Sequence, residues 1–205
     1  LYKSKSGERG IFNRAAAQKT VSKLGDRRDP NYEFGTNPCS EIILRPYQFC
    51  NLSEIIVRAD DTADSLKRKA RLATILGTFQ STLTHFPYLR KVWQKNTEEE
   101  RLLGVSMTGI LDNPLLNNPD DSRLEHLLNE LKNVCVATNA IVAEHLGIPA
   151  SAAITCVKPS GTVSQLTDSA SGIHARHAEY YFRRVRGDKK DPLTQHLIDA
   201  GVTAE

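Results

Sequence analysis

The chain has 205 residues, 40% of them apolar and 25% charged, with a net charge of +3. This is the make-up of an ordinary soluble globular chain of one sizeable domain or two small ones, and so weak a charge does not by itself argue for nucleic acid or a membrane surface. No apolar run approaches the roughly 20 residues of a membrane helix, and four cysteines do not make a disulfide scaffold, which points to a reducing, cytoplasmic setting where a reactive cysteine is more often catalytic than structural.

The opening stretch is polar, starts at Leu1 rather than Met and shows no signal-peptide pattern; it reads as the start of a piece of a longer protein. Residues 11–24 (IFNRAAAQKTVSKL) read as a short helix stopped by Gly25, and residues 25–36 as a polar, turn-rich connection. Glu41 to Leu44 is strand-like until Pro46 breaks it. A long helix follows, capped by Asp60, Asp61 or Thr62, with Leu66, Ala70, Ala73, Leu76, Phe79 and Leu83 recurring at steps of three and four. Residues 102–110 (LLGVSMTGI) read as a buried strand. A second long helix starts near Asp121, carries Leu124, Leu127, Leu131, Val134 and Val142 on one face, and ends at Gly147 with Pro149 beyond. A strand over 152–157, a glycine-containing turn over 158–164 (KPSGTVS), a strand over 180–186 (YYFRRVR) and a short helix over 192–200 complete the chain. Helices and strands alternate without any internal repeat, which favours an α/β architecture.

The segment 37-NPCSEIILRPYQFC-50 carries the chemistry. Side chains alternate in extended chain, so Asn37, Cys39 and Glu41 line one surface there. A buried strand would not set an amide and a carboxylate beside a thiol, because each polar group costs free energy unless it is bonded. An active site would: the amide bonds a substrate hydroxyl, the carboxylate shuttles its proton, and the thiol reacts. Cys50, eleven residues after Cys39, is near enough in sequence to return to the same pocket through a loop bent at Pro46. Whether the two sulfurs could bond is a matter of geometry that spacing does not decide. The turn after 152–157 is a candidate phosphate site. Free backbone N–H groups and the hydroxyls of Ser160, Thr162 and Ser164 can hold phosphate, with Pro159, Gly161 and Val163 in the same turn and Gly161 letting the backbone approach closely. An ordinary strand-to-helix turn is the plain alternative.

Four stretches in order resemble ribonucleotide reductases. Asn-Pro-Cys-Ser-Glu followed by Cys-Asn-Leu at 50–52 resembles the finger loop of these enzymes, most closely in the adenosylcobalamin-dependent class II ribonucleoside-triphosphate reductases. SGERGIFNRAAA is similar to the segment ahead of that loop, LLGVSMTGI to a barrel strand, and CVKPSGTVSQL at 156–166 to the substrate-phosphate loop, followed by ASGIHARHAEYYFRRV at 170–185. The resemblance implies part of a ten-stranded α/β barrel with a central finger loop over 36–50. It implies radical-based reduction of ribonucleotides to 2′-deoxyribonucleotides, adenosylcobalamin as radical source with a site not identifiable here, and thioredoxin or a similar dithiol as reductant. It implies roles as well: Cys39 as the thiyl radical that abstracts the 3′ hydrogen, Glu41 as acceptor of the 3′-hydroxyl proton, Asn37 as hydrogen-bonding partner of the ribose hydroxyls, and Cys50 as one of two reducing thiols. The partner of Cys50 lies well upstream in the family, no cysteine precedes residue 39 here, and the C-terminal cysteine pair is also absent. The chain therefore resembles the middle of a reductase.

Other signals carry less. Cys135 falls on a helix face and reads as core. Cys156 lies in a buried-looking strand, where it packs or lines the pocket. His174 and His177 form an HxxH with no third ligand in register, so no metal site is expected. Tyr180 and Tyr181 do not sit in the setting of a tyrosine radical relay. Three rivals stand beside the class II reading: a segment of a class I ribonucleoside-diphosphate reductase large subunit, a non-catalytic nucleotide-binding fragment, and a simple thiol oxidoreductase pairing Cys39 with Cys50.

Overall fold

The computed structural model describes residues 3, 5, 10–23, 28–182 and 184–204. Residues 6–9 of the SGERG stretch, the expected helix stop at Leu24 and Gly25, and Arg183 lie outside the described residues.

The first helix, α1 (Arg14–Val21), starts where Asn13 accepts a hydrogen bond from the Ala16 N–H, three residues later than the periodicity suggests. It buries Ala17 and Val21 against Phe34, with Ile43 packed alongside, and so forms a small core of its own. Two short strands, β1 (Gly35–Thr36) and β2 (Ile43–Leu44), pair antiparallel and hold the two ends of the 37–42 loop together.

The main body is a parallel pair with a helical crossover. Strand β3 (Leu52–Ile56) pairs with β4 (Gly104–Thr108) in register from Leu52 opposite Gly104 to Ile56 opposite Thr108. Between them run α2 (Ala63–Gln80) and α3 (Lys91–Glu100), and α4 (Ser122–His145) follows β4. Thr62 caps α2 through a reciprocal pair of bonds with Ser65, and Asp121 caps α4 through the Arg123 N–H. The core joins Ile55 and Val57 with Leu66, Ala70, Leu103, Val105, Leu127, Leu131 and Cys135, so α2 and α4 cover the β3–β4 pair. The short α5 (Val163–Leu166) and α6 (Pro192–Asp199) close the chain, α6 opening on a proline in its first turn.

Three expectations need correction, and one helix was not anticipated. The buried stripe of α2 follows Leu66, Ala70 and Ala73 but then continues through Thr74, Gly77 and Thr78, leaving Leu76, Phe79 and Leu83 exposed. Two successive steps of three residues drift a helical stripe by about 60° each, whereas small residues at 73, 74, 77 and 78 let the helix sit close to its neighbours. At Gly77 an added Cβ would meet Leu103 at 3.2 Å. The expected strand at 152–157 makes a single bridge, Thr155 opposite Val105, although the Leu103 and Val105 N–H groups donate to the Ala153 and Ile154 carbonyls and the Cys156 N–H donates to the Val105 carbonyl. No described residue of 180–186 is in a strand, and Tyr180, Tyr181 and Phe182 are exposed. Finally, helix α3 carries no apolar period of its own and went unread in the sequence; it is held instead by Asn96 and Glu100, both buried.

Candidate active site

The loop over 36–50 is shaped by its own backbone and by a buried ion cluster. Ser40 and Tyr47 both adopt the left-handed conformation, with φ of 66° and 59°, which turns the chain at each end of the loop. Such conformations disfavour residues with a Cβ and persist where the surroundings hold them. Around Tyr47 the chain is held by a cluster centred on Glu100, fully buried at the end of α3. Its Oε1 accepts from Arg28 Nε at 2.8 Å and pairs with Arg45 Nη2 at 3.0 Å, while Oε2 accepts from Gln48 Nε2 at 2.5 Å. Arg28 also donates to the Ile43 carbonyl, and Asn96 to the carbonyls of Pro46 and Tyr47. The Arg45 guanidinium lies over the Tyr32 ring at 3.8 Å. Burial draws the Arg28 guanidinium below its ordinary value even though Glu100 opposes that shift. The sequence reading missed this cluster, because nothing in the Glu-Glu-Glu run at 98–100 marks the one that turns inward.

Loop and turn bring the predicted residues together. Asn37 is buried; its Nδ2 donates to Glu41 Oε1 at 2.5 Å, and its Oδ1 accepts from the Ile42 N–H at 3.0 Å. Cys39 is exposed at the tip. Lys158, the first residue of the 158–164 turn, pairs with Glu41 Oε1 at 2.8 Å and donates to Cys39 Sγ at 3.3 Å. Glu41 Oε2 is buried and has no hydrogen-bond partner among the described residues. Burial pushes the Glu41 carboxyl upward, yet the bonds from Lys158, from its own backbone and from Asn37 outweigh it, leaving it below the ordinary value. Cys50 is half-buried; burial first, and then the Glu41 charge, push its thiol up. Cys156 lies beside Gly104 and feels Glu41, Cys50 and Glu54, so it borders the same site, with its thiol pushed up to about 12 mainly by burial. All four cysteines are free.

The 158–164 turn follows the 152–157 segment, which bridges to β4 at Val105. Ser160 takes a left-handed φ of 57°, and its hydroxyl bonds Glu54 Oε1 and the Lys158 carbonyl. Ser164 is buried and bonds the Gly161 carbonyl at 3.1 Å. These two hydroxyls face inward and stiffen the turn, whereas Pro159, Gly161 and Thr162 are exposed, Val163 is half-buried, and the space over Gly161 is open. A ligand at the turn would therefore meet backbone and Thr162 first. Gly172, with φ of 53°, packs so closely that an added Cβ would lie 2.7 Å from the Lys158 carbonyl, and Ser171 donates to the Pro159 carbonyl at 2.7 Å. Arg176 ties the same return segment to Asp112 and Asp168. Beneath the turn, burial raises the Glu54 carboxyl despite its bond from Ser106 and the Lys158 charge.

A mainly apolar cavity of about 220 Å³ opens beside Cys50, lined by Phe49, Asn51, Leu83, Phe86 and Leu102 among others. Among the described residues no group of three or more His, Cys, Asp or Glu is placed to hold a metal ion, and no described helix is long and apolar enough to cross a membrane. His174 bonds the Ser171 carbonyl and His177 stacks edge-on against Tyr181.

The chain is similar to enzymes of one kind. It is 30% identical over 230 residues to the adenosylcobalamin-dependent ribonucleoside-triphosphate reductase of Lactobacillus acidophilus, covering 98% of this chain and 30% of that one. It is 31% identical over 183 residues to the enzyme of the same name from Euglena gracilis, covering 88% of this chain and 24% of that one. A crystal structure of a B12-dependent (class II) ribonucleotide reductase superposes with a TM-score of 0.57 at 26% identity, over 75% of this chain and 23% of that one. No protein-family model matches the chain. The chain thus spans under a third of the length of the curated relatives it matches, and over nearly its whole length it resembles class II reductases in sequence; in fold it matches part of their α/β barrel.

Proposed function

We propose that the protein reduces ribonucleotides, with ribonucleoside triphosphates as substrates, to 2′-deoxyribonucleotides by radical chemistry on Cys39. The observation that carries this reading is the state of Glu41: one oxygen is fixed by Asn37 and Lys158, while the other is buried, without a partner among the described residues, and next to an exposed thiol. An unpartnered buried carboxylate oxygen is costly unless something is meant to fill it. A ribose hydroxyl is such a group.

With the radical on Cys39, the sulfur takes the 3′ hydrogen atom and becomes a thiol. Glu41 Oε2 accepts the 3′-hydroxyl proton as Cys50 protonates the 2′-hydroxyl, which leaves as water. Cys50 and a second thiol then supply two electrons, the second thiol supplies a proton to C2′, Glu41 returns its proton to the 3′ oxygen, and the two sulfurs become a disulfide. Return of the hydrogen atom from Cys39 to C3′ restores the radical. The net change is ribonucleotide plus two thiols giving deoxyribonucleotide, disulfide and water. Asn37, held by the loop, is the hydrogen-bonding partner of the sugar hydroxyls, and the 158–164 turn receives the phosphates on its exposed backbone. The raised thiol of Cys50 keeps it protonated until it is needed.

The likeness to the named relatives supports dependence on adenosylcobalamin and a triphosphate substrate. Adenosylcobalamin carries its cobalt in its own corrin ring and needs a wide pocket rather than a set of metal-holding side chains, and the cavity of about 220 Å³ beside Cys50 is too small for it. No step is therefore assigned to it here. Thioredoxin or a similar dithiol is the external reductant in this reading, and the setting is cytoplasmic. The test is reduction of a ribonucleoside triphosphate by the full-length protein carrying these residues, with dithiothreitol, with and without adenosylcobalamin. Cobalamin-dependent deoxynucleotide that disappears in Cys39→Ser supports the reading. Activity that needs a separate di-metal subunit moves the protein to class I, and triphosphate binding without reduction leaves only a binding module.

A further inference from the structure

Lys158 has no part in the chemistry above, yet its ammonium touches both reactive side chains of the finger loop. It lies 2.8 Å from Glu41 Oε1 and 3.3 Å from Cys39 Sγ. The pair is shielded: the side chains of Lys158 and Glu41 are 24% and 7% exposed, so this contact counts for more than an ordinary surface ion pair. The root of the lysine is fixed as well. Its carbonyl accepts from Ser160 Oγ, and Gly172 packs against it without room for a Cβ. A rigidly rooted arm thus crosses from the 158–164 turn to the tip of the loop.

The geometry at Glu41 shows what the arm achieves. Asn37 Nδ2 and Lys158 Nζ both converge on Oε1. Two donors on one oxygen fix the rotation of a carboxylate, and Oε2 is left free. Without the lysine the carboxylate keeps only neutral donors, Asn37 and its own backbone N–H, and loses the charged one that fixes its rotation. We infer that Lys158 is a positioning residue, clamping Glu41 Oε1 beside the Cys39 thiol and so presenting Oε2 to the substrate hydroxyl. The inference rests on the reading of the previous subsection for what Oε2 receives, but the clamp itself does not.

The electrostatics agree. Lys158 faces Glu41 from the turn, Asn37 and Cys39 face it from its own loop, and Cys50 ahead of β3 and Cys156 beside β4 also feel its charge. Glu54 of β3 faces Lys158 and Cys156. Among these groups the lysine supplies the positive charge that offsets burial of the Glu41 carboxylate. Without it, less opposes burial, and the carboxylate gains its proton at a higher pH than in the native protein.

The experiment is a titration of Glu41 by carbon-13 NMR in full-length protein labelled at glutamate, with Glu41→Gln assigning the signal. It is read alongside the pH profile of kcat/KM in Lys158→Met and Lys158→Arg. In Lys158→Met the midpoint of Glu41 rises, and kcat/KM falls about tenfold at the acid end while recovering at the alkaline end. Lys158→Arg, which keeps the charge, stays close to the native protein in both readouts. An unmoved Glu41 midpoint in Lys158→Met, or an arginine variant that behaves like the methionine one, overturns the inference. If the midpoint moves as expected but the native protein reduces no ribonucleotide, the clamp stands and the proposed function fails.

Discussion

Two glutamates in this chain keep similar company and do opposite things. Glu100 has both oxygens engaged: Arg28 and Arg45 meet Oε1, and Gln48 meets Oε2, with the carboxylate fully buried. Glu41 has an amide and a cation on one oxygen and no described partner on the other, and an exposed thiol stands beside it. Each has a cation and an amide as partners. What separates them is valence left unfilled. A saturated buried carboxylate is committed to structure, because any new partner must displace an old one. A half-saturated one next to a reactive sulfur is poised to take a proton. Glu100 shapes the loop, and in the proposed reaction Glu41 uses the shape.

The contrast can be broken at several points. The largest expected effect is on turnover in Cys39→Ser, which is abolished because an oxygen radical is far harder to form. The exposed site keeps the stability change within about 0.5 kcal/mol, as read by denaturant unfolding. Next is Glu100→Ala, which strands Arg28 and Arg45 in the interior and destabilises the fold by about 3–5 kcal/mol in the same unfolding measurement. Glu41→Gln should do the reverse, lowering kcat by about a hundredfold or more while the melting temperature moves little. If Glu100→Ala left stability unchanged, or if Glu41→Gln unfolded the protein, the division of labour would be wrong.

A smaller effect sharpens the comparison through pH. The Glu41 carboxyl has an ordinary value of 4.5 and lies below it in the fold. Its pairing with Lys158 and Asn37 therefore stabilises the fold fully above about pH 4.5 and is lost as the pH falls through the lowered value. Unfolding free energies measured from pH 6 downward should lose part of their acid dependence in Glu41→Gln. A variant with the same acid slope as the native protein would show that the pairing adds nothing to stability.

Much of this was legible in the residues, and the failures have physical reasons. The long helices α2 and α4 were readable because caps at Thr62 and Asp121 mark their starts and a 3.6-residue period marks their faces. The grouping of Asn37, Cys39 and Glu41 was readable because a few residues in one loop stay together in any fold. Helix α3 was not, since it is held by buried polar groups rather than by an apolar stripe. The strand expected at 180–186 failed because aromatic and β-branched residues favour a strand only where a partner exists, and here Tyr180, Phe182 and Val185 face solvent. The outer stripe of α2 likewise has no cover among the described residues. Lys158 was invisible as a site residue because its partner Cys39 lies 119 residues away and only the fold joins them.

The central claim is that Cys39 removes a hydrogen atom from C3′ while Glu41 takes the neighbouring proton. The most direct measurement uses a ribonucleoside triphosphate deuterated at C3′, in full-length Cys50→Ser protein with adenosylcobalamin. That variant should abstract hydrogen but stall before reduction. Loss of the 3′ label that depends on Cys39, and slows sharply when Glu41→Gln is added, is the predicted result. Full retention of the 3′ label in Cys50→Ser, or loss that persists after Cys39→Ser, would contradict the account.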